Sequence, residues 1–359
     1  MKKILCLIDS LGTGGAERQM MGLTQLLKEK GYNVDLATYI PHKYHEVLFE
    51  KYGLTSISLT PAPNRLGKFK AVKKLIKENK YDVVIAYKNG PTVITSVLKM
   101  LGVKFKLIVS ERNTTQVLTR NEKIKFFTYR AADYIVPNSY SQQRFIECNF
   151  NHLLKKTCTI TNYADTEFFH PLEREENKPI QVLTVARIGR QKNVLKYLDV
   201  VKKIKDEGLD VKFVWYGNVQ IKEDDYYKEC VERRKRLGIE DTIRFMPGTS
   251  KIYETYHQSD VFCLPSIYEG YPNVVCEAMC SGMPVLCSDI CDNSTIIEDG
   301  INGYLFNPLD EDDMVAKIKK MINLSVEQRK NMGKRSREIA VKKFSRDSFV
   351  EKYIKLIEG

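Results

Sequence analysis

Residues 260–289 read DVFCLPSIYEGYPNVVCEAMCSGMPVLCSD and indicate the architecture of the second half of the chain. A short apolar run at 261–264 ends at a proline, a polar loop follows, and apolar residues then recur at helical spacing before a second apolar run at 284–288. A strand, a helix and a strand joined by short loops are typical of a parallel β-sheet covered by helices. This stretch therefore predicts an α/β fold.

The same alternation continues in both directions along the chain. Because 359 residues exceed what one hydrophobic core usually supports, it predicts two α/β domains rather than one. The predicted strands of the first domain are 3–8, 33–39, 82–87, 106–110, 134–137 and 157–161. Those of the second domain are 181–186, 211–216, 242–246, 261–264 and 284–288, and amphipathic helices are predicted at 327–344 and 346–357.

The predicted domain boundary lies at 166–180, a polar stretch with two prolines that is typical of a linker. We therefore expect an N-terminal domain at 1–165, a C-terminal domain at 181–340 and a last helix at 341–359 that crosses back to the N-terminal domain. In sheets of this kind, ligands bind outside the carboxyl ends of the strands. The functional residues are expected there.

The formal net charge of +12 suits nucleic acid, an anionic membrane surface or a phosphorylated substrate as partner. Basic residues concentrate at 65–80, where seven lysines and arginines stand against the single acid Glu78. Apolar residues alternate with them at helical spacing (Leu66, Phe69, Val72 and Leu75), as in a helix that lies on anionic lipid headgroups. A solvated basic helix face explains the pattern equally well. Nucleic-acid modules are absent, so no nucleic acid is expected as partner.

The cysteines and the apolar runs bear on location. Most of the nine cysteines lie in apolar segments, which indicates reduced core residues rather than a disulfide framework. The spacing of Cys276, Cys280, Cys287 and Cys291 does not match a zinc site. We find no signal peptide and no apolar run long enough to span a membrane, so we expect a cytoplasmic protein whose membrane contact, if any, is peripheral.

Two carboxylates follow the strand at 261–264. Glu269 stands in the loop after the strand, and Glu277 lies one turn into the helix that Pro272 and Asn273 open. The free amides of Asn273 and Val274 at this helix start can bind a phosphate, which brings a ribose near Glu277. Without further evidence, a helix-dipole partner and a solvated loop residue explain the two carboxylates better.

Cations and glycines after other strands favour a binding site for a nucleotide diphosphate over a purely structural role of the two carboxylates. Arg187 follows the strand at 181–186 and Lys192 stands near the start of the next helix, so that both can neutralise a diphosphate. In the first domain, Gly14 and Gly15 follow the first strand and allow the backbone to approach a phosphate or sugar, although a tight structural turn explains them equally.

With these motifs in order, the chain resembles the retaining glycosyltransferases of the two-Rossmann GT-B architecture, in particular family 4, also called group 1. The resemblance covers nearly the whole chain. It rests on the Glu-x7-Glu pattern of Glu269 and Glu277 within EGYPNVVCEAMCSGMPV, on DGINGYLFNP at 299–308, on VARIGRQKN at 185–193 and on GGAE at 14–17.

The resemblance implies two Rossmann-like domains that face each other across a cleft, with C-terminal helices returning towards the N-terminal domain. It implies transfer of a sugar from a nucleotide-sugar to an acceptor with retained configuration, without a metal or other cofactor. The implied donor is UDP-hexose or UDP-N-acetylhexosamine, because UDP is the commonest donor nucleotide among relatives. The implied acceptor is a saccharide, in particular a lipid-linked one, in cell-surface polysaccharide or lipopolysaccharide assembly on the inner face of the membrane.

The resemblance also implies residue roles. Arg187 and Lys192 bind the diphosphate, near the backbone of Gly14 and Gly15 and the amides of Asn273 and Val274. Glu277 holds the ribose, and the loop of Glu269, Gly270, Tyr271 and Pro272 positions the sugar. Met246 and Pro247 are the candidates for the nucleobase pocket.

One departure concerns Arg112. Many relatives carry a histidine after a strand like 106–110, where this chain has Ser110-Glu111-Arg112-Asn113. Arg112 takes that position and is our remaining candidate for the catalytic site. Two alternatives stay open: a nucleotide-sugar epimerase of the same architecture, which would turn over the donor without an acceptor, and a non-catalytic subunit that binds a sugar nucleotide or glycan.

Overall fold

The protein was analysed as a computed structural model that describes residues 1–12, 14–40, 49, 52–59, 64–173, 178–220 and 223–359. The chain divides into two compact units. The first unit comprises Met1–Asn162 and Arg346–Gly359, and the second comprises Tyr163–Ser345. Four residues of the predicted linker, 174–177, lie outside the described residues.

The first unit is built on a parallel sheet of six described strands in the order β3-β2-β1-β4-β5-β6. These strands are β1 (Lys3–Leu7), β2 (Asn33–Thr38), β3 (Ser56–Ser58), β4 (Val83–Tyr87), β5 (Lys106–Glu111) and β6 (Tyr134–Pro137). The described helices are α1 (Gly15–Glu29), α2 (Arg65–Asn79), α3 (Asn89–Met100), α4 (Arg120–Thr128) and α5 (Tyr140–Asn149). The central strands β1 and β4 are nearly continuous apolar runs because helices cover both faces of such a sheet.

The last helix completes the first unit. This helix, Arg346–Glu358, belongs to that unit and packs against α1. Its Tyr353 is fully buried, with its hydroxyl 2.7 Å from that of Tyr87. Lys2 Nζ donates to the carbonyl of Ile357 at 2.6 Å. The predicted return of the chain end to the N-terminal domain is thus confirmed for this helix.

The second unit repeats the topology, with six described parallel strands in the order β12-β11-β10-β7-β8-β9. They are β7 (Ile180–Val185), β8 (Val211–Tyr216), β9 (Ile243–Met246), β10 (Val261–Leu264), β11 (Val285–Ser288) and β12 (Gly303–Phe306). The described helices up to the last one are α6 (Val194–Asp206), α7 (Asp224–Arg236), α8 (Ile252–His257), α9 (Asn273–Cys280), α10 (Glu311–Ile322) and α11 (Val326–Lys343), so that Arg346–Glu358 is α12. The predicted GT-B fold class, with two doubly wound sheets, is confirmed.

Three strand predictions need correction. No strand forms at 157–161, where Thr157 makes one isolated bridge to Ile135 after a 3-10 turn at Asn151–Lys156. β3 and β12 were not predicted as strands. Both lie at the ends of their sheets, where short strands lack a long apolar run that would reveal them.

The amphipathic reading of residues 65–80 is wrong for its apolar face. Val72 is fully buried and Leu75 almost so, within the core of the first unit, and Phe69 packs against the same core. Only Leu66 remains exposed. Most of the apolar stripe of α2 therefore anchors the helix to its own sheet, whereas Lys70, Lys74 and Lys77 are exposed. Among the described helices none has the length and apolar character needed to cross a membrane.

Candidate functional site

The candidate site residues of the second unit gather at the carboxyl edge of its sheet. β7 and β10 are neighbours there, and from them the chain winds outward in opposite directions, to β8 and β9 on one side and to β11 and β12 on the other. Such a topological switch point leaves a crevice between the loops that follow the two strands. These two loops carry Arg187, Lys192 and Glu269.

The core of the site is an ion pair. Lys192 Nζ contacts Glu269 Oε1, although 77 residues separate them in sequence. The same oxygen accepts a hydrogen bond of 2.6 Å from the hydroxyl of Ser266, which is fully buried. The side chains of Lys192 and Glu269 are only 13% and 10% exposed, so water screens their interaction weakly. The structure thus joins a residue predicted for the diphosphate to one predicted for the sugar.

Backbone and amide contacts hold the two loops in register. Gln191 Nε2 donates to the carbonyl of Tyr268 at 2.8 Å, and the amide of Ile267 donates to the carbonyl of Gln191 at 2.9 Å. Lys192 ends a 3-10 turn, one residue before the buried Asn193, whose side chain donates to the carbonyl of Pro308 at 2.8 Å. The lysine therefore sits on a backbone that is fixed on both sides.

Arg187 is exposed two residues after the end of β7, and a close backbone contact fixes the chain just before it. A Cβ on Gly217, which follows β8, would overlap the carbonyl oxygen of Ala186. The same carbonyl accepts a hydrogen bond of 2.7 Å from the indole of the buried Trp215. The guanidinium of Arg187 is thus presented at the sheet edge without being used in the core.

Helix α9 begins as predicted, with Pro272 as N-cap residue and Asn273 as first residue. Glu277, however, is buried, and its Oε2 accepts a hydrogen bond of 2.9 Å from the hydroxyl of Tyr256 on α8. The same hydroxyl lies 3.3 Å from the carbonyl of Val274. Tyr256 therefore orients the carboxylate relative to the first turn of the helix. Gly270 and Tyr271 complete the turn before Pro272, and the ring of Tyr271 is buried.

The end of β9 carries the predicted nucleobase contacts, with Met246 as its last residue and Pro247 directly after it. Met246 and Pro247 are exposed at the same carboxyl edge. Asn218, which follows β8, accepts a hydrogen bond of 2.9 Å from the amide of Gly248 and so ties this loop to the next one. The exposed side chains of Met246 and Pro247 thus give this edge an apolar surface, and their role as nucleobase contacts stays a prediction.

The three candidates in the first unit have separate surroundings. Gly14 caps α1 and Gly15 opens it. Arg112, after β5, is almost buried; its guanidinium lies over the ring of Tyr87, 4.6 Å from the centroid, and donates to Asn162 Oδ1 at 2.6 Å. Arg112 is therefore engaged within its own unit, and its role at a reacting centre stays a prediction.

Ser266, Tyr256 and Gln191 were missed by sequence reasoning. Ser266 had a visible signal, because it is the first polar residue after a buried strand. Tyr256 had none, since one tyrosine on a short helix does not reveal which carboxylate it will meet. Within the described part of the chain, no three His, Cys, Asp or Glu side chains are grouped so that they could hold a metal ion.

Comparisons with known proteins extend this description. Residues 165–339 match the family model of glycosyl transferases group 1. An amylovoran biosynthesis glycosyltransferase, AmsD, of Erwinia amylovora is 26% identical over 92% of this chain and 93% of its own. A Campylobacter jejuni transferase of N-acetylgalactosamine to an undecaprenol-diphosphate glycan is 26% identical, with 90% of each chain covered. The crystal structure of Anabaena Alr3699/HepE with UDP-glucose superposes with a TM-score of 0.86 at 18% identity and covers all of both chains.

The two doubly wound units have the GT-B architecture found in glycosyltransferases. The chain is similar to glycosyl transferases group 1, whose family model matches residues 165–339, and to bacterial glycosyltransferases along nearly its whole length.

Proposed function

We propose that the protein transfers a hexose or N-acetylhexosamine from a UDP-sugar to a lipid-linked saccharide, with retained configuration, in cell-surface polysaccharide assembly. The observation that carries the proposal is the Lys192–Glu269 pair at the switch point, beside the exposed Arg187 and the start of α9. The UDP-glucose in the HepE structure supports the donor. The undecaprenol-diphosphate substrate in the name of the Campylobacter relative supports the acceptor.

In this proposal the donor diphosphate binds between the two cations and the first turn of α9. The amides of the helix start and the positive end of its dipole favour an anion. Arg187 and Lys192 add two fixed positive charges, which stabilise the negative charge that develops on the leaving diphosphate. They supply the electrostatic stabilisation for which other transferases use a divalent cation, so we expect activity in the presence of a chelator.

Glu269 then lies where the sugar is bound and Glu277 where the ribose is bound. Carboxylates are strong acceptors for hydroxyl groups, and both are held in place by neighbours rather than left to rotate. Retention follows if the acceptor hydroxyl attacks on the face from which the diphosphate leaves, with a phosphate oxygen taking the proton. Catalysis rests on leaving-group stabilisation and on positioning. Arg112 is proposed to contribute from the first unit.

The test is nucleotide release from a panel of UDP- and GDP-sugars, with and without detergent-solubilised prenyl-diphosphate saccharides, in the presence of EDTA. We expect release with one UDP-sugar, stimulated by acceptor, and an α-linked product from an α-linked donor by NMR. Conversion of the donor sugar without acceptor would indicate an epimerase, and binding without turnover a silent subunit. Either result overturns the proposal.

Arg187→Ala is expected to lower turnover by at least about 100-fold, the usual loss for one group that stabilises transition-state charge. Because Arg187 is exposed, the free energy of unfolding should change by less than about 0.5 kcal/mol. The matched control is Arg190→Ala, three residues further on. Arg190 is also exposed, lies over the ring of Tyr226 and stands 4.0 Å from the carboxylate of Glu229. A control that loses as much turnover as Arg187→Ala would contradict the assignment.

A peripheral membrane location is part of the proposal. The outward lysines of α2 form a basic face, and α4 presents exposed Ile124 and Phe127 among the basic residues Arg120 and Lys123. Helix α3 packs against both α2 and α4, so these surfaces belong to one helix layer. Apolar side chains among basic ones are typical of surfaces that lie on anionic lipid.

A further inference from the structure

The first unit has a switch point of its own. Its sheet order places β1 beside β4, from which the chain winds outward in opposite directions. Asp9 follows β1, Lys88 follows β4, and Glu17 lies in the first turn of α1. Ligands bind at this position in open α/β sheets. None of these three residues belongs to the donor site described above.

An ion cluster occupies this switch point. Lys88 Nζ donates to Glu17 Oε1 at 2.6 Å and to Asp9 Oδ1 at 3.0 Å. Glu17 is 4% exposed, whereas the side chains of Lys88 and Asp9 are 26% and 28% exposed. The cluster therefore has a buried side, which fixes the lysine, and an open side, which solvent or a ligand can reach.

The backbone of Lys88 is strained. Its φ of +69° and ψ of 159° place it in a region that side chains other than glycine rarely adopt. Such strain persists where the surroundings hold the residue in place, and it concentrates at binding and catalytic sites. The carboxylates of Glu17 and Asp9 provide that hold.

The open side offers one donor and one acceptor. An ammonium group has three N–H donors, and two of them are used by the carboxylates. Neither the third donor nor Asp9 Oδ2 has a partner among the described residues. A single hydroxyl group can accept from the first and donate to the second. An anionic group would instead meet two carboxylates around an already compensated cation.

We infer that Lys88 and Asp9 bind a hydroxyl group of the acceptor saccharide, with Glu17 as the positioning residue that holds Lys88. The inference rests on the proposed function and extends it to the acceptor. It also gives the two units a common plan, because a lysine–carboxylate pair stands at each switch point, Lys192–Glu269 in one and Lys88–Asp9 in the other. Burial lowers the pKa of Lys88, but Glu17 and Asp9 more than offset this, so the pKa is raised and the lysine stays charged at neutral pH.

The test uses the whole chain saturated with UDP and two probes, the para-nitrophenyl α-glycosides of N-acetylgalactosamine and N-acetylglucosamine. Dissociation constants are measured by calorimetry, with saturation-transfer NMR to identify the bound hydroxyls. We expect Lys88→Met and Asp9→Asn each to weaken glycoside binding at least 10-fold, with UDP affinity changed less than twofold. Asp9→Asn provides a second, nearly isosteric test if Lys88→Met fails to fold.

The matched control is Lys99→Met. Lys99 lies on α3, the helix that Lys88 caps; its side chain is 22% exposed, and it also pairs with a carboxylate, that of Asp133. This variant should bind both probes like the unmodified protein. Glycoside affinity within twofold in both test variants, no glycoside binding at all, or competition by inorganic phosphate that needs Lys88 would each overturn the inference. Failure of the proposed transfer is seen separately, as absent nucleotide release, and leaves a Lys88-dependent glycoside affinity intact.

Discussion

Among single side chains, the Lys192–Glu269 pair allows the most specific prediction, an effect of one substitution on both turnover and stability. Lys192→Met keeps the length of the side chain but removes the cation that contacts Glu269 Oε1, an oxygen that also accepts a hydrogen bond from Ser266. We expect turnover to fall by at least about 100-fold, because a positive charge that stabilises the leaving group is lost. We also expect the free energy of unfolding to fall by about 1–3 kcal/mol, because a nearly buried carboxylate loses its cation. Steady-state kinetics and urea unfolding measure the two effects.

Lys196→Met is the control for this variant. Lys196 lies one turn further along the chain and pairs with Glu311 at 3.2 Å, but both side chains are 29% exposed. A pair at this exposure contributes less than about 1 kcal/mol, so stability and turnover should stay near those of the unmodified protein. Equal losses in both variants would mean that Lys192 serves folding rather than the donor.

At the level of secondary-structure elements, Gly217 fixes how closely the loops after β7 and β8 approach. A Cβ there would overlap the carbonyl oxygen of Ala186, which belongs to the backbone and cannot rotate away. Gly217→Ala is therefore expected to lower the free energy of unfolding by about 1–3 kcal/mol, as overpacking does. It should also lower turnover by displacing Arg187. Thermal unfolding and nucleotide release measure both effects.

Gly189→Ala tests whether any added methyl in this region has the same result. The nearest atoms to a Cβ at Gly189 are those of Glu223 at 3.5 Å, which is an ordinary contact. The φ of Gly189, −175°, is one that alanine also adopts. Stability should change by less than about 0.5 kcal/mol. If Gly217→Ala proves equally harmless, the loops are more adaptable than their packing indicates.

The elements also mark where sequence reasoning reaches its limit. Runs of apolar residues predict β1, β4, β7 and β10, because strands covered on both faces leave a strong signal. The charged residues that follow β7 and β10 can be predicted to lie at one edge of the sheet, because the carboxyl ends of parallel strands meet there. Their pairing cannot, because the contact between Lys192 and Glu269 depends on β7 and β10 being neighbours, which no local pattern encodes.

For helix α2, the sequence predicts the helix but not the partner of its apolar side. Its spacing of apolar residues is the same whether the stripe faces a membrane or its own core, so periodicity alone left both readings open. The structure decides for the core through Val72 and Leu75. The prediction that the basic residues of α2 contact an anionic surface is unaffected, because their charge does not depend on where the apolar side packs.

For the molecule as a whole, the net charge of +12 matters through its distribution. If the helix layer of the first unit lies on the membrane, binding to vesicles should require anionic lipid and weaken with salt, since the Debye length falls from about 10 Å at 0.1 M to about 3 Å at 1 M. Each basic residue near an anionic surface contributes about 1 kcal/mol. Replacing Lys70, Lys74, Lys77 and Lys80 by glutamine is thus expected to weaken binding to phosphatidylserine vesicles by at least 100-fold in a sedimentation assay.

Two further variants separate this surface from charge in general. Replacing Lys228, Lys235, Arg236 and Lys251 of the second unit by glutamine removes the same charge from other exposed positions and should leave vesicle binding nearly unchanged. Ile124→Ser with Phe127→Ser removes the exposed apolar side chains of α4 and should reduce the part of the binding that survives high salt, because that part depends on apolar contact. Equal losses in the two glutamine variants would assign binding to net charge and remove the helix layer as a specific surface. Binding that ignores both salt and lipid charge would exclude an electrostatic attachment altogether.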